Sequence, residues 1–248
     1  MVDPRTSIIN RRLARISRII AVSSGKGGVG KSMVATTLAL ILAQNGCKVG
    51  LFDLDFTSPS THIILDAQNL QPKEEKGLVP PTFHGLEYMS LVYFVGEKPA
   101  PLRGADVSNT LIELLAVTQW GTLDFLVIDM PPGIGDAILD LVRLIKRIEF
   151  LIVTTSSLLA FETVKKQVAL LCELKMPIIG ILENMKMNVS EGIEVETEKL
   201  GLKYLGEIPY DPQVEGAIGL EKELLNTVIA KKLRKVAKNL VLMDKREI

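Results

Sequence analysis

The chain is nearly without cysteine and histidine. Its 248 residues hold two of each. Cys47 and Cys172 are too few and too far apart for a disulfide framework or a self-contained metal site. His62 and His84 have no second ligand at metal-binding spacing and read as structural. Aromatic residues make up only 5% of the chain against 47% hydrophobic, so the expected core is aliphatic. Net charge is also missing: Lys+Arg 29 balances Asp+Glu 29. Bulk electrostatics therefore gives no drive toward nucleic acid. No apolar run approaches membrane-spanning length, and the opening MVDPRTSIINRRLARIS has no apolar h-region. These absences predict a soluble cytoplasmic protein without nucleic acid or membrane among its partners. No repeat, low-complexity tract or dividing linker appears, which predicts one domain over residues 1–248.

What is present centres on Gly25-Lys26-Gly27-Gly28-Val29-Gly30-Lys31-Ser32. This satisfies the phosphate-loop pattern G-x-x-x-x-G-K-[ST], with a second lysine after the first glycine. The glycines let the backbone wrap around a phosphate with its N–H groups turned inward. Lys31 is placed to reach the β- and γ-phosphates, and the Ser32 hydroxyl to ligate Mg²⁺. The preceding Arg18–Val22 is an apolar, β-branched run that reads as a buried strand. Met33 to Gln44 reads as a helix, whose N-terminus favours anions.

Further apolar runs predict strands at Lys48–Phe52, Leu86–Leu91, Phe125–Ile128, Phe150–Val153, Ile178–Leu182 and Tyr204–Ile208. Helical patterns cover Lys31–Asn45, Asp106–Gln119, Asp136–Lys146, Ala160–Leu174 and Glu221–Leu242. Near-continuous apolar strands alternating with helices predict a doubly wound α/β fold, a mostly parallel sheet covered on both faces. Asn69–Phe83, polar and proline-containing, reads as a surface excursion. Arg11, Arg12, Arg15 and Arg18 alternate with Ile8, Ile9, Leu13 and Ile16 at near-helical spacing and read as a solvated amphipathic helix. Leu224–Leu242, rich in lysine, reads as a packed terminal helix in preference to one lying on a membrane.

Acidic residues follow several strands. Asp53-Leu54-Asp55 closes the second, at the edge where ligands bind in such sheets. Leu126-Val127-Ile128-Asp129, followed by Met130-Pro131-Pro132-Gly133, has the form of the acidic strand beside a phosphate loop that holds Mg²⁺. Glu183-Asn184-Met185 and Pro209-Tyr210-Asp211 follow later strands. An asparagine amide offers the donor and acceptor an adenine edge needs, although on composition alone a turn asparagine is the better reading. Arg103 reads either as a charge near the nucleotide or as a solvated loop residue.

Taken together, K-G-G-x-G-K-S, D-x-D, V-I-D-x-P-P-G, E-N-M and G-E-I-P-x-D-P resemble the Mrp/ApbC-type proteins of the MinD/ParA deviant phosphate-loop ATPases. The resemblance runs from about Ile19 to beyond Asp211. It implies an ATP-hydrolysing homodimer that sandwiches ATP or ADP with Mg²⁺ at its interface and serves iron–sulfur assembly or recipient proteins. It implies that Gly25–Met33, Asn184, Pro209 and Asp211 bind nucleotide, with Lys26 crossing to the partner's phosphates. Asp55 matches the carboxylate that positions the attacking water. Ser32, Asp53, Asp55 and Asp129 match the Mg²⁺ environment, and Asn184 the adenine-reading asparagine. The alternative reading is a MinD-like positioning or regulatory ATPase acting on a membrane or protein partner. Two departures stand out. Met33 replaces the family's threonine, removing a hydroxyl toward the α-phosphate. The cluster-bridging C-x-x-C expected after E-N-M is replaced by Lys186-Met187-Asn188-Val189-Ser190, so the ATPase carries over and the iron–sulfur cluster does not. Cys47 falls in a turn at the sheet edge opposite the nucleotide, and Cys172 reads as a buried structural thiol.

Overall fold

The computed structural model describes residues 5–95, 105–187 and 192–244. Arg103 lies outside them. The strands are β1 (Ile16–Ser24), β2 (Val49–Asp53), β3 (Lys73–Glu74), β4 (Leu78–Val79), β5 (Thr82–Phe83), β6 (Leu86–Ser90), β7 (Leu123–Asp129), β8 (Ile148–Thr154), β9 (Ile178–Lys186) and β10 (Tyr204–Pro209). The main helices are α1 (Arg5–Leu13), α2 (Lys31–Gln44), α3 (Thr61–Leu65), α4 (Val92–Val95), α5 (Ala105–Val117), α6 (Asp136–Leu144), α7 (Leu158–Glu173) and α8 (Gly192–Lys199). The last three are α9 (Gln213–Gly216), α10 (Glu221–Leu224) and α11 (Val228–Asp244).

Eight strands form one sheet in the order β10-β9-β8-β1-β7-β2-β6-β5. All of its pairs are parallel except β5 with β6. The doubly wound, mostly parallel fold expected from the sequence is therefore the one observed. Side chains alternate across β1 to build a core on each face. Ile19 and Ala21 join Phe161, Leu141 and Leu115 on the side of α5, α6 and α7. Ile20 and Val22 join Leu38, Ile41 and Leu233 on the side of α2 and α11. With α2 leaving β1 toward one face and α6 and α7 lying on the other, the C-terminal ends of β1, β7 and β2 open a crevice.

Some local expectations differ. The amphipathic N-terminal helix stops at Leu13. Arg18 lies inside β1, where its guanidinium makes a two-pronged bond with Glu149 of β8 at 2.7 and 2.8 Å. It also donates to the Leu240 carbonyl of α11, so the strand reading of Arg18–Val22 holds and the helical arginine spacing ends before Arg18. The terminal helix is split. The Thr227 Oγ1 accepts from Ala230 N and donates to the Leu224 carbonyl, which ends α10 and starts α11. The surface excursion holds the β3–β4 hairpin. Cys172 is exposed rather than buried, because α7 turns Phe161, Val164, Val168 and Leu171 to the core instead.

Candidate nucleotide-binding site

The phosphate loop leaves β1 at Ser24 and enters α2 at Lys31. The Ser24 hydroxyl donates to the Lys26 carbonyl at 2.9 Å and shapes its first turn. Two of its glycines are compelled by space. A Cβ on Gly25 would overlap Thr163, backbone included, on α7. Gly30 has a left-handed backbone, φ 78°, and a Cβ there would overlap the Asn184 amide. No side chain caps α2, so its first-turn N–H groups and the positive end of its dipole face the cleft. Lys26 is exposed at the rim, and Met33 is half-buried.

Lys31 is buried, and its Nζ gathers the acidic groups. It lies 2.6 Å from Asp129 Oδ1 and 3.4 Å from Asp55 Oδ2, and it donates to Ser32 Oγ at 3.3 Å. Asp53 and Asp129 are direct register partners on β2 and β7, which is why strand-end carboxylates fifty residues apart or more share one volume. Asp129 is fully buried, and its Oδ2 has no hydrogen-bond partner among the described residues. Burial pushes its carboxyl up to about 7, opposed by Lys31 and reinforced by the neighbouring Asp53. Burial also raises Asp53, against the hydrogen bond from Thr61.

The two aspartates of D-x-D do different work. Both Asp53 oxygens are taken by the chain: Oδ1 accepts from Asp55 N at 3.0 Å, and Oδ2 from Thr61 Oγ1 at 2.6 Å and Thr61 N at 3.2 Å. Asp53 thus ties the start of α3 to β2, and Tyr88 OH backs Thr61 at 2.8 Å. Asp55 Oδ1 accepts from Thr57 N, Thr57 Oγ1 and Ser58 N, leaving Oδ2 toward the cleft. Sequence reading missed Thr61, Tyr88 and Thr163. Ser58-Pro59-Ser60-Thr61 carries a helix-start signal that marks the first of them; nothing in the sequence marks the other two.

Gly27, Gly30, Lys31, Ser32, Asp55 and Pro132 line part of a cleft of about 470 Å³ at this edge. Asn184 reaches the loop from β9. Pro209 ends β10, and Asp211 follows it at the same edge of the sheet. Asp211 is spent on backbone, accepting from Gln213 N at 3.0 Å and Val228 N at 3.4 Å, so it holds the starts of α9 and α11. A larger cavity of about 700 Å³ lies between β3–β4 and α5. Glu74 and Glu113 in its lining are unsuited to a polyphosphate, and it lies away from the groups above. Among the described residues no three His, Cys, Asp or Glu side chains cluster as a metal site. Mg²⁺ takes few protein ligands when phosphates supply the rest. The unpartnered Asp129 Oδ2 and the Ser32 hydroxyl beside the uncapped helix fit that mode.

A sequence model described as ParA, NUBPL iron-transfer P-loop NTPase, matches residues 15–242. The chain is 41% identical over 181 residues to an iron–sulfur cluster carrier protein of Pseudomonas fragi, covering 71% of this chain and 63% of that protein. It is 39% identical over 220 residues to the chloroplastic Fe-S cluster assembly factor HCF101 of Arabidopsis thaliana, covering 83% and 41%. The chain thus spans about two fifths to two thirds of these relatives. A nucleotide-binding protein of Archaeoglobus fulgidus in complex with ADP superposes with a TM-score of 0.77 at 29% identity, covering 90% of this chain and 93% of that one. MinD of Pyrococcus horikoshii with Mg-ADP shares the fold, with a TM-score of 0.68 at 23% identity over 90% and 95%. The glycine loop, its buried lysine and the strand-end aspartates thus sit in a chain that belongs to the ParA family of NUBPL-type iron-transfer P-loop NTPases.

Proposed function

We infer that this chain binds and slowly hydrolyses ATP with Mg²⁺ as a homodimeric switch, in the service of iron–sulfur cluster assembly or transfer. One observation carries the reading. Lys31 Nζ, Ser32 Oγ and the Asp55 and Asp129 carboxylates meet within 3.4 Å beneath a glycine loop. That is a cationic donor, a metal-ligating hydroxyl and two acids at a helix N-terminus.

In this reading Lys31 leaves Asp129 for the β- and γ-phosphates, and the loop N–H groups cradle the polyphosphate. Mg²⁺, when bound on Ser32 and the phosphates, would neutralise charge on the transferred group. Asp129 holds the metal's environment through its free oxygen. Asp55 directs Oδ2 toward the attacking water, and Asp53 acts at one remove by fixing α3. Exposed Lys26 extends toward the partner's phosphates. The iron–sulfur role rests on what the relatives are called, and the cluster is cargo in this reading, held with thiols from outside the chain. A membrane-directed alternative has less support: α11 buries Leu233, Val236, Ala237 and Leu240 against α2 and β-strand side chains, leaving no free apolar face on that helix among these residues.

Calorimetry with Mg²⁺-ATP and Mg²⁺-ADP, paired with phosphate release, tests the reading. Lys31→Ala should remove most binding and all turnover. Unchanged affinity in that variant would overturn it.

A further inference from the structure

Thr61 opens α3 and is fully buried, while its neighbours Ser60, Ile63 and Ile64 line the cleft. Two hydrogen bonds meet at its hydroxyl. Oγ1 lies 2.6 Å from Asp53 Oδ2 and 2.8 Å from Tyr88 OH. Counting protons gives each bond its direction. Asp53 receives Asp55 N on Oδ1 and both Thr61 N and Thr61 Oγ1 on Oδ2. Three donors favour the carboxylate, which only accepts. The single Thr61 hydroxyl proton therefore goes to Asp53, and Tyr88 donates its own to Thr61 Oγ1. Tyr88 is fully buried on β6, register-paired with Leu51 of β2. Its ring shares a core cluster with Leu51 and Ile64. A phenylalanine would pack there as well, so what the tyrosine adds is the hydroxyl.

These bonds close residues 53–61 into a ring. Asp53 is clasped to Thr61, Asp55 N is held by Asp53, and Asp55 Oδ1 is taken by Thr57 and Ser58 inside the ring. Tyr88 anchors it from the adjacent strand. Building on the hydrolysis reading above, we propose that Thr61, backed by Tyr88, is a positioning residue for Asp55. The line Tyr88–Thr61–Asp53 sets where Asp55 Oδ2 points in the cleft. Lys31 and Ser32 belong to α2 and stand outside this line, so it acts on turnover and leaves phosphate binding to the loop.

Thr61→Val keeps the branched shape and the backbone bond to Asp53 and deletes the hydroxyl. Tyr88→Phe deletes the anchor, and Thr61→Ser keeps the hydroxyl. Phosphate release and calorimetry with Mg²⁺-ATP would be measured on each, with amide hydrogen exchange on the nucleotide-free chain reading Asp55 N directly. Thr61→Val should lower kcat about tenfold, because small misplacements of a reacting group are costly. Its Mg²⁺-ATP affinity should stay within about twofold of wild type, and Asp55 N should exchange faster. Tyr88→Phe should lower kcat about threefold, the loss of one neutral hydrogen bond. Thr61→Ser should recover most of the rate. A merely structural clasp would lower thermal stability and weaken affinity and turnover together; that result overturns the proposal, and so does an unchanged kcat in Thr61→Val. If Thr61→Val fails to fold, Tyr88→Phe and Thr61→Ser are judged by the same split between kcat and affinity. A wild-type chain that binds Mg²⁺-ATP without releasing phosphate overturns the hydrolysis reading, and this inference with it. Normal wild-type turnover with unaffected variants overturns the inference alone.

Discussion

Lys31 is a structural cation as well as the proposed phosphate contact, and Lys31→Met tests how the cluster is balanced. The substitution keeps the stem and deletes the charge. Asp129, fully buried, then loses its close cation among the described residues, at 2.6 Å, and Asp55 loses one at 3.4 Å. Removing one partner of a buried pair costs about 3–5 kcal/mol. At neutral pH the cost is limited, because burial already lifts the Asp129 carboxyl to about 7 and a proton can stand in for the ammonium. This fixes the sign of the pH dependence. In the wild type Asp129 becomes ionised in both folded and unfolded chains as pH passes its folded value of about 7, so its contribution changes little beyond that point. In the variant, without the opposing Lys31 field and with Asp53 and Asp55 still facing it, the folded carboxyl rises further. The folded variant keeps a proton that the unfolded chain has released, so its stability falls by about 1.4 kcal/mol per pH unit. The gap between wild type and variant should widen by up to about 2 kcal/mol from pH 7 to 8.5. Urea unfolding at both pH values reads it. Adding Asp129→Asn removes the stranded charge and should recover most of the loss. A gap that is equal at both pH values, or a double variant no more stable than Lys31→Met, refutes the reasoning.

Gly25→Ala would force a Cβ into Thr163 and the backbone of α7. It should cost about 1–3 kcal/mol in denaturant unfolding and shift loop amides in NMR spectra; an unperturbed variant would show that the close approach is relaxed in solution. Lys26→Ala, at an exposed rim position, should keep ATP affinity but lose hydrolysis and ATP-driven dimerisation, because charge on the transferring phosphoryl is no longer met. Asp55→Ala should instead hold an ATP-bound dimer, and light scattering that gives one mass with and without ATP in both variants would count against the dimer switch.

The fold was legible because the strands buried on both faces have no choice but to be apolar. Ile19–Val22 and Phe125–Ile128 announce themselves, and so does the glycine loop between strand and helix. The strand-end aspartates were legible as a group for a topological reason. Parallel strands deliver their C-terminal ends to one edge, so Asp53 and Asp129 meet in register although 76 positions separate them. What the sequence hid was the division of labour inside the group. Both aspartates of Asp53-Leu54-Asp55 look alike in one dimension. Only the chain's path after Asp55, which brings Thr61 back to Asp53, makes one a tether and leaves the other an oxygen facing the cleft. Asp211 is a strand-end carboxylate next to a helix start, and the backbone N–H groups of Gln213 and Val228 reach its two oxygens. Arg18 carries two readings, helix from its spacing to Arg11 and Arg15 and strand from the apolar run it opens; it lies in β1, paired with Glu149 on the adjacent strand.

The two thiols make the same point about distance in sequence and in space. Both lie toward the edge where strands begin, opposite the phosphate loop: Cys47 just before β2, Cys172 near the end of the helix that leads to β9. In the sheet order four inter-strand steps separate β2 from β9, about 19 Å. The faces differ as well, since Cys47 packs against the core under α2 and α11 while α7 packs against the other. A cluster needs its sulfurs within bonding distance of shared metal atoms, and no side-chain rotation closes that gap. A second copy meeting this one across Lys26 and the loop would bring together the edges that carry the aspartates and leave all four cysteines on the outside. The two thiols thus lie at the sheet edge opposite the phosphate loop, which supports the proposal that a cargo cluster is held with thiols from outside the chain.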